Sequence, residues 1–170
     1  VILDEAYFEY AQFIKDYPDS MYYRYDNVIT LRTFSKIYGL AGFRVGYGFA
    51  HSELIKNLMK VKLPFEPSMP AQEAAIAAIK DENHINNSIN INRLGYKYII
   101  TKLKKMNLKY IKSVTNFITI IFKNSDSAEK CYSFLLSKGV IVRYLIGFGL
   151  PLCIRVTIGT EEENLIFVNT

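Results

Sequence analysis

Tryptophan is absent from this 170-residue sequence, and cysteine and histidine occur only twice each. Cys131 and Cys153 lie far apart with no second pair, so neither a disulfide framework nor a zinc site is expected. With His51 and His84 as the only histidines, a metal site has few ligands to draw on. No apolar run approaches the length of a bilayer span, and there is no secretory leader pattern. Together these absences point to a reducing, cytoplasmic compartment and away from a membrane. Neither an internal repeat nor a low-complexity segment is present. The sequence also opens without methionine, on Val1-Ile2-Leu3-Asp4, which reads as the inside of a buried strand. It therefore reads as the later part of a longer protein.

What is present is a globular composition. Half of the residues are hydrophobic and 14% are aromatic, through Tyr and Phe, which excludes a disordered chain. The net charge is +5, with the densest basic group at Lys102, Lys104, Lys105, Lys109 and Lys112. A solvated helix face accounts for that group better than a nucleic-acid surface, for which no module is recognisable. An anionic small-molecule substrate is the other reason to keep positive charge.

Val1-Ile2-Leu3, ending in Asp4-Glu5-Ala6-Tyr7, has the wholly apolar character of a parallel strand buried on both faces. In such sheets ligands collect at the carboxyl ends of strands, where Asp4 falls. Residues 9–25 are polar, aromatic and interrupted by Pro18, and read as loop with a short helix. Strands are expected over 28–33 and 44–50. A helix follows, with Ser52 as N-cap and Leu54, Ile55, Leu58, Met59 and Val61 on one face. The prolines at 64, 67 and 70 break it, and the alanine-rich stretch 71–80 is expected to be a tightly packed helix. A long helix is expected over 86–106, with Ile91, Leu94, Tyr98, Ile99 and Leu103 on its apolar stripe. Beyond it come a strand at 117–122, a helix at 125–137 stopped by Gly139, strands at 140–143 and 153–158, and a helix opened by Glu161-Glu162-Glu163. The expected organisation is α/β: residues 1–81 as the C-terminal portion of a large, mainly parallel-sheet domain, 82–107 as a linking helix, and 108–170 as a small α+β domain.

The chemistry gathers in Thr33-Phe34-Ser35-Lys36-Ile37-Tyr38-Gly39-Leu40-Ala41-Gly42-Phe43-Arg44-Val45-Gly46. A lysine among Phe34, Ile37, Tyr38 and Leu40 is expected in surroundings that disfavour its charged form and free the amine as a nucleophile toward carbonyls. Arg44 is a fixed cation suited to a phosphate, and the glycines let backbone approach a ligand. A carbonyl-reactive lysine beside a phosphate clamp points to pyridoxal 5'-phosphate. That cofactor also needs a carboxylate to keep its ring nitrogen protonated and a partner for its phenolic oxygen. Asp4 and Tyr7 are available for those two tasks, and Ser35 with Arg44 for the phosphate.

These segments resemble the fold-type I pyridoxal-phosphate-dependent aminotransferases, and among them the histidinol-phosphate aminotransferase family. The resemblance is carried by Asp4-Glu5-Ala6-Tyr7, Arg32-Thr33-Phe34-Ser35-Lys36, and Gly39-Leu40-Ala41-Gly42-Phe43-Arg44-Val45-Gly46-Tyr47. Leu63-Pro64-Phe65-Glu66-Pro67, Thr115-Asn116-Phe117 and Ile154-Arg155-Val156-Thr157-Ile158-Gly159-Thr160 extend it over essentially the whole chain. It implies that Lys36 bonds the cofactor and moves the substrate α-proton, that Asp4 and Tyr7 serve the ring, and that Ser35 and Arg44 hold the phosphate. Arg155 would take the substrate α-carboxylate as a bidentate pair, and Arg143 the phosphate of histidinol phosphate or the distal carboxylate of glutamate. The implied reaction passes an amino group between histidinol phosphate and 2-oxoglutarate, giving imidazole acetol phosphate and glutamate, in a homodimer of the full-length protein. A related fold-type I enzyme, such as a threonine-phosphate decarboxylase or an aromatic aminotransferase, is an alternative, and so is a catalytically silent interaction module. Tyr144 stands where relatives commonly have proline after the arginine. The family's first half, with its phosphate-binding turn, ring-stacking aromatic and N-terminal arm, is not in this sequence. Weak cofactor binding by this polypeptide alone is therefore expected.

Overall fold

Ile2–Asp4 (β1) runs parallel to Ile29–Thr33 (β2), which pairs antiparallel with Gly46–Ala50 (β3), in a computed structural model that describes residues 1–23 and 25–170. The chain divides into two units, Val1–Ser88 and Ile89–Thr170. In the first, the sheet order is β1-β2-β3 and the helices are Phe8–Ala11 (α1), Ser52–Val61 (α2) and Met69–Ala78 (α3), with a 3-10 turn at Ser20–Tyr22. The three strands described are mixed in direction, because the 34–45 loop returns the chain beside β2 in the opposite direction. Nor is β1 buried on both faces. It is an edge strand with one neighbour, and Ile2 is 67% exposed.

Two helix expectations also change. The α2 N-cap is His51, whose Nδ1 accepts from the Glu53 N–H at 3.4 Å, and Ser52 is the first helical residue. Only Leu54 and Ile55 of the expected apolar face are half-buried; Leu58, Met59 and Val61 are exposed. Helix α3, capped by Ser68, buries Ala71 and Ala75 but leaves Ile76 out, so its packing is one-sided.

Helix Glu82–Lys105 (α4) starts earlier than its apolar stripe does, and the division between units falls within it. Its Ile99 and Leu103 are buried in the second unit, whereas Ile91 and Leu94 are exposed. That unit is a four-stranded antiparallel sheet of order β4-β5-β7-β6, made of Lys109–Ile111 (β4), Phe117–Ile121 (β5), Arg143–Tyr144 (β6) and Cys153–Thr157 (β7). Helix Ser125–Ser137 (α5) is capped by Asn124 and ends at Gly139, whose φ of +80° is the left-handed conformation glycine tolerates. Helix Glu161–Asn169 (α6) opens with a reciprocal capping box: Thr160 Oγ1 accepts from the Glu163 N–H, and Glu163 Oε2 accepts from the Thr160 N–H at 2.7 Å. Ile99, Leu103, Ile118, Ile120, Leu135, Ile154 and Val156 form the core between helices and sheet. The strand expected over 140–143 is reduced to Arg143–Tyr144, and β4 is an additional strand.

Candidate active site

The loop joining β2 to β3 is held by its own backbone. Phe34 N–H donates to the Val45 carbonyl at 3.2 Å, Leu40 N–H to that of Phe34 at 2.9 Å, and Gly39 N–H to that of Lys36 at 3.0 Å. Gly39 closes the last turn with a φ of +71°, and Gly46 lets the returning strand approach, since a Cβ there would lie 2.8 Å from the Arg32 carbonyl oxygen. The glycines thus serve the loop's geometry. Phe34, Ile37, Tyr38 and Val45 turn into the core, with the Phe34 ring 4.9 Å from Tyr38 and 5.3 Å from Tyr47. This reverses one sequence expectation. Phe34, Ile37 and Tyr38 are buried without Lys36, and the lysine is exposed rather than enclosed by them.

Lys36 Nζ lies 5.4 Å from the centre of the Tyr7 ring. Tyr7 follows the end of β1, where Asp4 is exposed and one carboxylate oxygen, Oδ1, accepts from the Ala6 N–H at 3.1 Å. Registers Asp4↔Leu31 and Thr33↔Gly46 put the end of β1, the end of β2 and the start of β3 at one edge of the sheet. Asp4, Tyr7, Ser35, Lys36 and Arg44 all belong to that edge. The Ser35 N–H donates to Thr33 Oγ1 at 3.0 Å. Arg44 takes a left-handed φ of +52°, a conformation that costs a non-glycine residue roughly 1–2 kcal/mol. Its Nη1 donates to the Ala41 carbonyl at 2.8 Å, and the rest of the exposed guanidinium faces outward with donors to spare. The turn after Lys36 is tied from behind by His84, whose Nε2 lies 2.9 Å from the Ile37 carbonyl oxygen; that contact requires the Nε2–H tautomer.

Beneath this edge is a buried charged layer that the sequence reading missed. Glu5 Oε2 accepts from Arg32 Nε at 3.0 Å and forms an ion pair with Nη2 at 2.9 Å, and Oε1 accepts from the Ser20 N–H at 3.3 Å. Arg32 Nη2 also donates to Asp19 Oδ1 at 2.8 Å, and its Cζ sits 3.4 Å above the Phe8 ring centre. Burial works against the charge of Arg32, but its bond and attraction to Glu5, with Asp19 behind, more than compensate and hold it charged. Nearby Glu9 is buried; its carboxyl is pushed above the ordinary glutamate range by loss of water, while a hydrogen bond from Tyr38 works the other way. The visible signal was a charge attached to each strand: Glu5 directly after Asp4, and Arg32 beside the apolar Ile29 and Leu31.

In the second unit, Arg143 and Arg155 are direct cross-strand partners on β6 and β7, and both line a cavity of about 600 Å³ with Tyr132, Tyr144 and Thr157. Arg155 lies 4.8 Å over the Phe117 ring. Among the described residues no carboxylate pairs with either arginine. Two cations facing each other across a ladder repel, so the cavity favours an anion. Tyr144 stacks at 5.7 Å on Tyr132 and donates to the Pro151 carbonyl at 3.0 Å, which fixes one wall.

A mixed α/β unit with a lysine loop at one sheet edge, followed by an antiparallel α+β unit carrying two facing arginines, agrees with what the family comparison finds. The chain belongs to the family described as Aminotransferase class I and II, whose model matches residues 1–170. It is 45% identical over 170 residues to histidinol-phosphate aminotransferase 1 of Nitrosococcus oceani, covering 99% of this chain and 45% of that protein. It is 46% identical over 171 residues to the histidinol-phosphate aminotransferase of Moorella thermoacetica, covering 99% and 44% respectively. The crystal structure of histidinol-phosphate aminotransferase from Sinorhizobium meliloti in complex with pyridoxal-5'-phosphate superposes with a TM-score of 0.88 at 28% identity, over 99% of this chain and 47% of that one. The chain thus spans about half the length of the relatives it matches.

Proposed function

We propose that this chain carries the lysine and arginine machinery of a pyridoxal-phosphate-dependent aminotransferase acting on histidinol phosphate and 2-oxoglutarate in histidine biosynthesis. One observation carries the reading: an exposed amine, an exposed carboxylate, a phenol, a hydroxyl and a guanidinium with spare donors share one sheet edge. The amine, carboxylate and phenol match the aldehyde, ring nitrogen and phenolic oxygen of the cofactor, and the hydroxyl and guanidinium together match its phosphate, so the residues present fit it. When bound, the cofactor supplies an aldehyde carbon for attachment of amines and a cationic ring that accepts the electron pair left on the substrate α-carbon.

Lys36 Nζ would hold the cofactor through its aldehyde carbon, and its amine would carry the proton between the substrate α-carbon and the cofactor carbon that bears the transferred nitrogen. Asp4 would hold the proton on the ring nitrogen through its uncommitted oxygen, and Tyr7 would orient the phenolic oxygen. Ser35 Oγ and the outward guanidinium of Arg44 would hold the phosphate, which gives the strained backbone of Arg44 a reason to be kept. Arg155 takes the substrate α-carboxylate through two parallel N–H bonds, and Arg143 the substrate phosphate or the distal carboxylate of glutamate. The names and 45–46% identity of the two relatives favour histidinol phosphate as substrate. No helix among the described residues is long and apolar enough to cross a membrane. The full-length form is read as a cytoplasmic homodimer, which sedimentation velocity of that form would measure.

The test is covalent trapping. The chain is mixed with pyridoxal 5'-phosphate, reduced with borohydride and mapped by peptide mass spectrometry. Selective labelling of Lys36, with a visible absorption band lost in Lys36→Ala, supports the reading; no band, or one indifferent to Lys36→Ala, overturns it.

A further inference from the structure

Consecutive residues of a strand point to opposite faces, so whatever anchors one residue aims its neighbour. Glu5 and Arg32 lie on the buried face of the sheet, with side chains 8% and 9% exposed. Asp4, one residue before Glu5, and Leu31, one before Arg32, are register partners on the opposite face, and both are exposed. The backbone continues the same pattern, with Glu5 N–H donating to the Leu31 carbonyl at 2.9 Å. A slip of β1 by one residue would bury Asp4 and expel Glu5. The Glu5–Arg32 contact opposes that slip, because Arg32 would exchange Glu5 for the shorter Asp4 and the fitted contacts of the buried pair would be lost.

The contact is also tied off on every side. Both carboxylate oxygens of Glu5 are occupied, by Arg32 and by the Ser20 N–H. Arg32 is shared with Asp19, whose Oδ1 also accepts from the Met21 N–H at 2.9 Å, and is stacked on Phe8, the residue after Tyr7. Ser20 in turn is 2.9 Å, hydroxyl to hydroxyl, from Thr30 of β2. Three segments that approach the sheet edge from different directions, 4–8, 19–22 and 30–36, therefore meet at one guanidinium. Lys36 lies four residues past Arg32 and against Tyr7.

We propose that Arg32 and Glu5 are the positioning residues of the lysine site: a buried charge pair, braced by Asp19 and Phe8, that sets the register of β1 on β2 and so the direction in which Asp4 and Lys36 are presented to the cofactor. This rests on the cofactor reading above. Lysine in place of Arg32 keeps the charge but loses the planar fork that reaches Glu5 twice and the flat face that stacks on Phe8.

The experiment measures labelling of Lys36 by pyridoxal 5'-phosphate and borohydride relative to exposed Lys60 of the same molecule, as a function of pH and cofactor concentration. In the native chain Lys36 is labelled in preference to Lys60. In Arg32→Met that preference falls roughly ten- to hundredfold, as misplacement by about an ångström does, while Lys60 labelling and far-ultraviolet circular dichroism stay the same. Arg32→Lys recovers part of it. Asp19→Asn, which removes only the outer brace and leaves the Glu5 pair, lowers it by less than Arg32→Met. If Arg32→Met does not fold, Arg32→Lys and Asp19→Asn decide, since each leaves a partner for Glu5. Folded variants that label Lys36 as selectively as the native chain overturn the proposal and leave the cofactor reading standing. Absence of any Lys36 preference in the native chain overturns both.

Discussion

Glu9 shows what a single buried ionisable residue does to this chain. Its ordinary value is 4.5, and burial raises it in the folded state. The folded chain therefore binds the Glu9 proton more tightly than the unfolded chain does. The stability this contributes is fully present below pH 4.5 and is lost as pH rises through the folded value. Burial disfavours the charged carboxylate, with the Tyr38 hydroxyl as partial relief. Glu9→Gln keeps an acceptor for that hydroxyl and removes the charge. Its melting temperature should exceed that of the native chain at pH 7, and the gap should shrink toward pH 4. Thermal unfolding followed by circular dichroism across that range measures it, and an equal gap at every pH would refute the account. Lys36 teaches the complementary lesson. Its apolar sequence neighbours implied a dry amine, yet a loop side chain faces the direction its turn imposes, and this turn sends Phe34 and Tyr38 inward and the lysine out.

Among the elements, the β6–β7 ladder carries the clearest test. Arg143 opposite Arg155 is a like-charge pair of the kind that weakens a sheet by about 0.2–1 kcal/mol. An anion seated between them would reverse that sign and stabilise the fold by mass action. Inorganic phosphate should therefore raise the melting temperature of the native chain in low salt, whereas Arg143→Gln should begin slightly more stable and respond less. An equal response in both would place the anion elsewhere. The elements themselves were unevenly legible. The helix over 125–137 was readable to its ends, because Gly139 and a hydrophilic start bracket one packed stripe. Where the pattern misled, composition and spacing suggested more burial than the described residues provide. Val1-Ile2-Leu3 has the composition of a strand covered on both sides, and the α2 face has the spacing of a packed helix, but the described residues cover only Leu3, Leu54 and Ile55, and those only in part. That Asp4, Tyr7 and the lysine loop meet at one sheet edge was readable from strand ends and spacing. The charged layer beneath them was not, because Glu5, Asp19 and Arg32 are far apart in sequence and only the β1–β2 register brings them together.

At the scale of the whole molecule, the two units differ in how much apolar surface each hides by itself. The second has a contiguous core in which Ile99, Ile118 and Ile154 have no exposed surface, each side chain contributing about 1.5–3 kcal/mol of transfer free energy. The first leaves Ile2, Met59, Val61, Leu63 and Met69 largely exposed, and Phe65 almost entirely so at 95%. Its interior depends more on the Arg32 cluster, where charges offset one another's desolvation instead of adding hydrophobic burial. Local stability should follow that difference. In native-state hydrogen exchange under rising denaturant, amides of β5 and β7 should be the last to open, and those of α2 and α3 among the first. Ile154→Ala should lower protection in the second unit by about 2–5 kcal/mol, the cost of a cavity in a core strand. If α2 and α3 instead exchange as slowly as β5 in the native chain, burial within each unit does not set its stability, and the argument from exposed apolar surface fails.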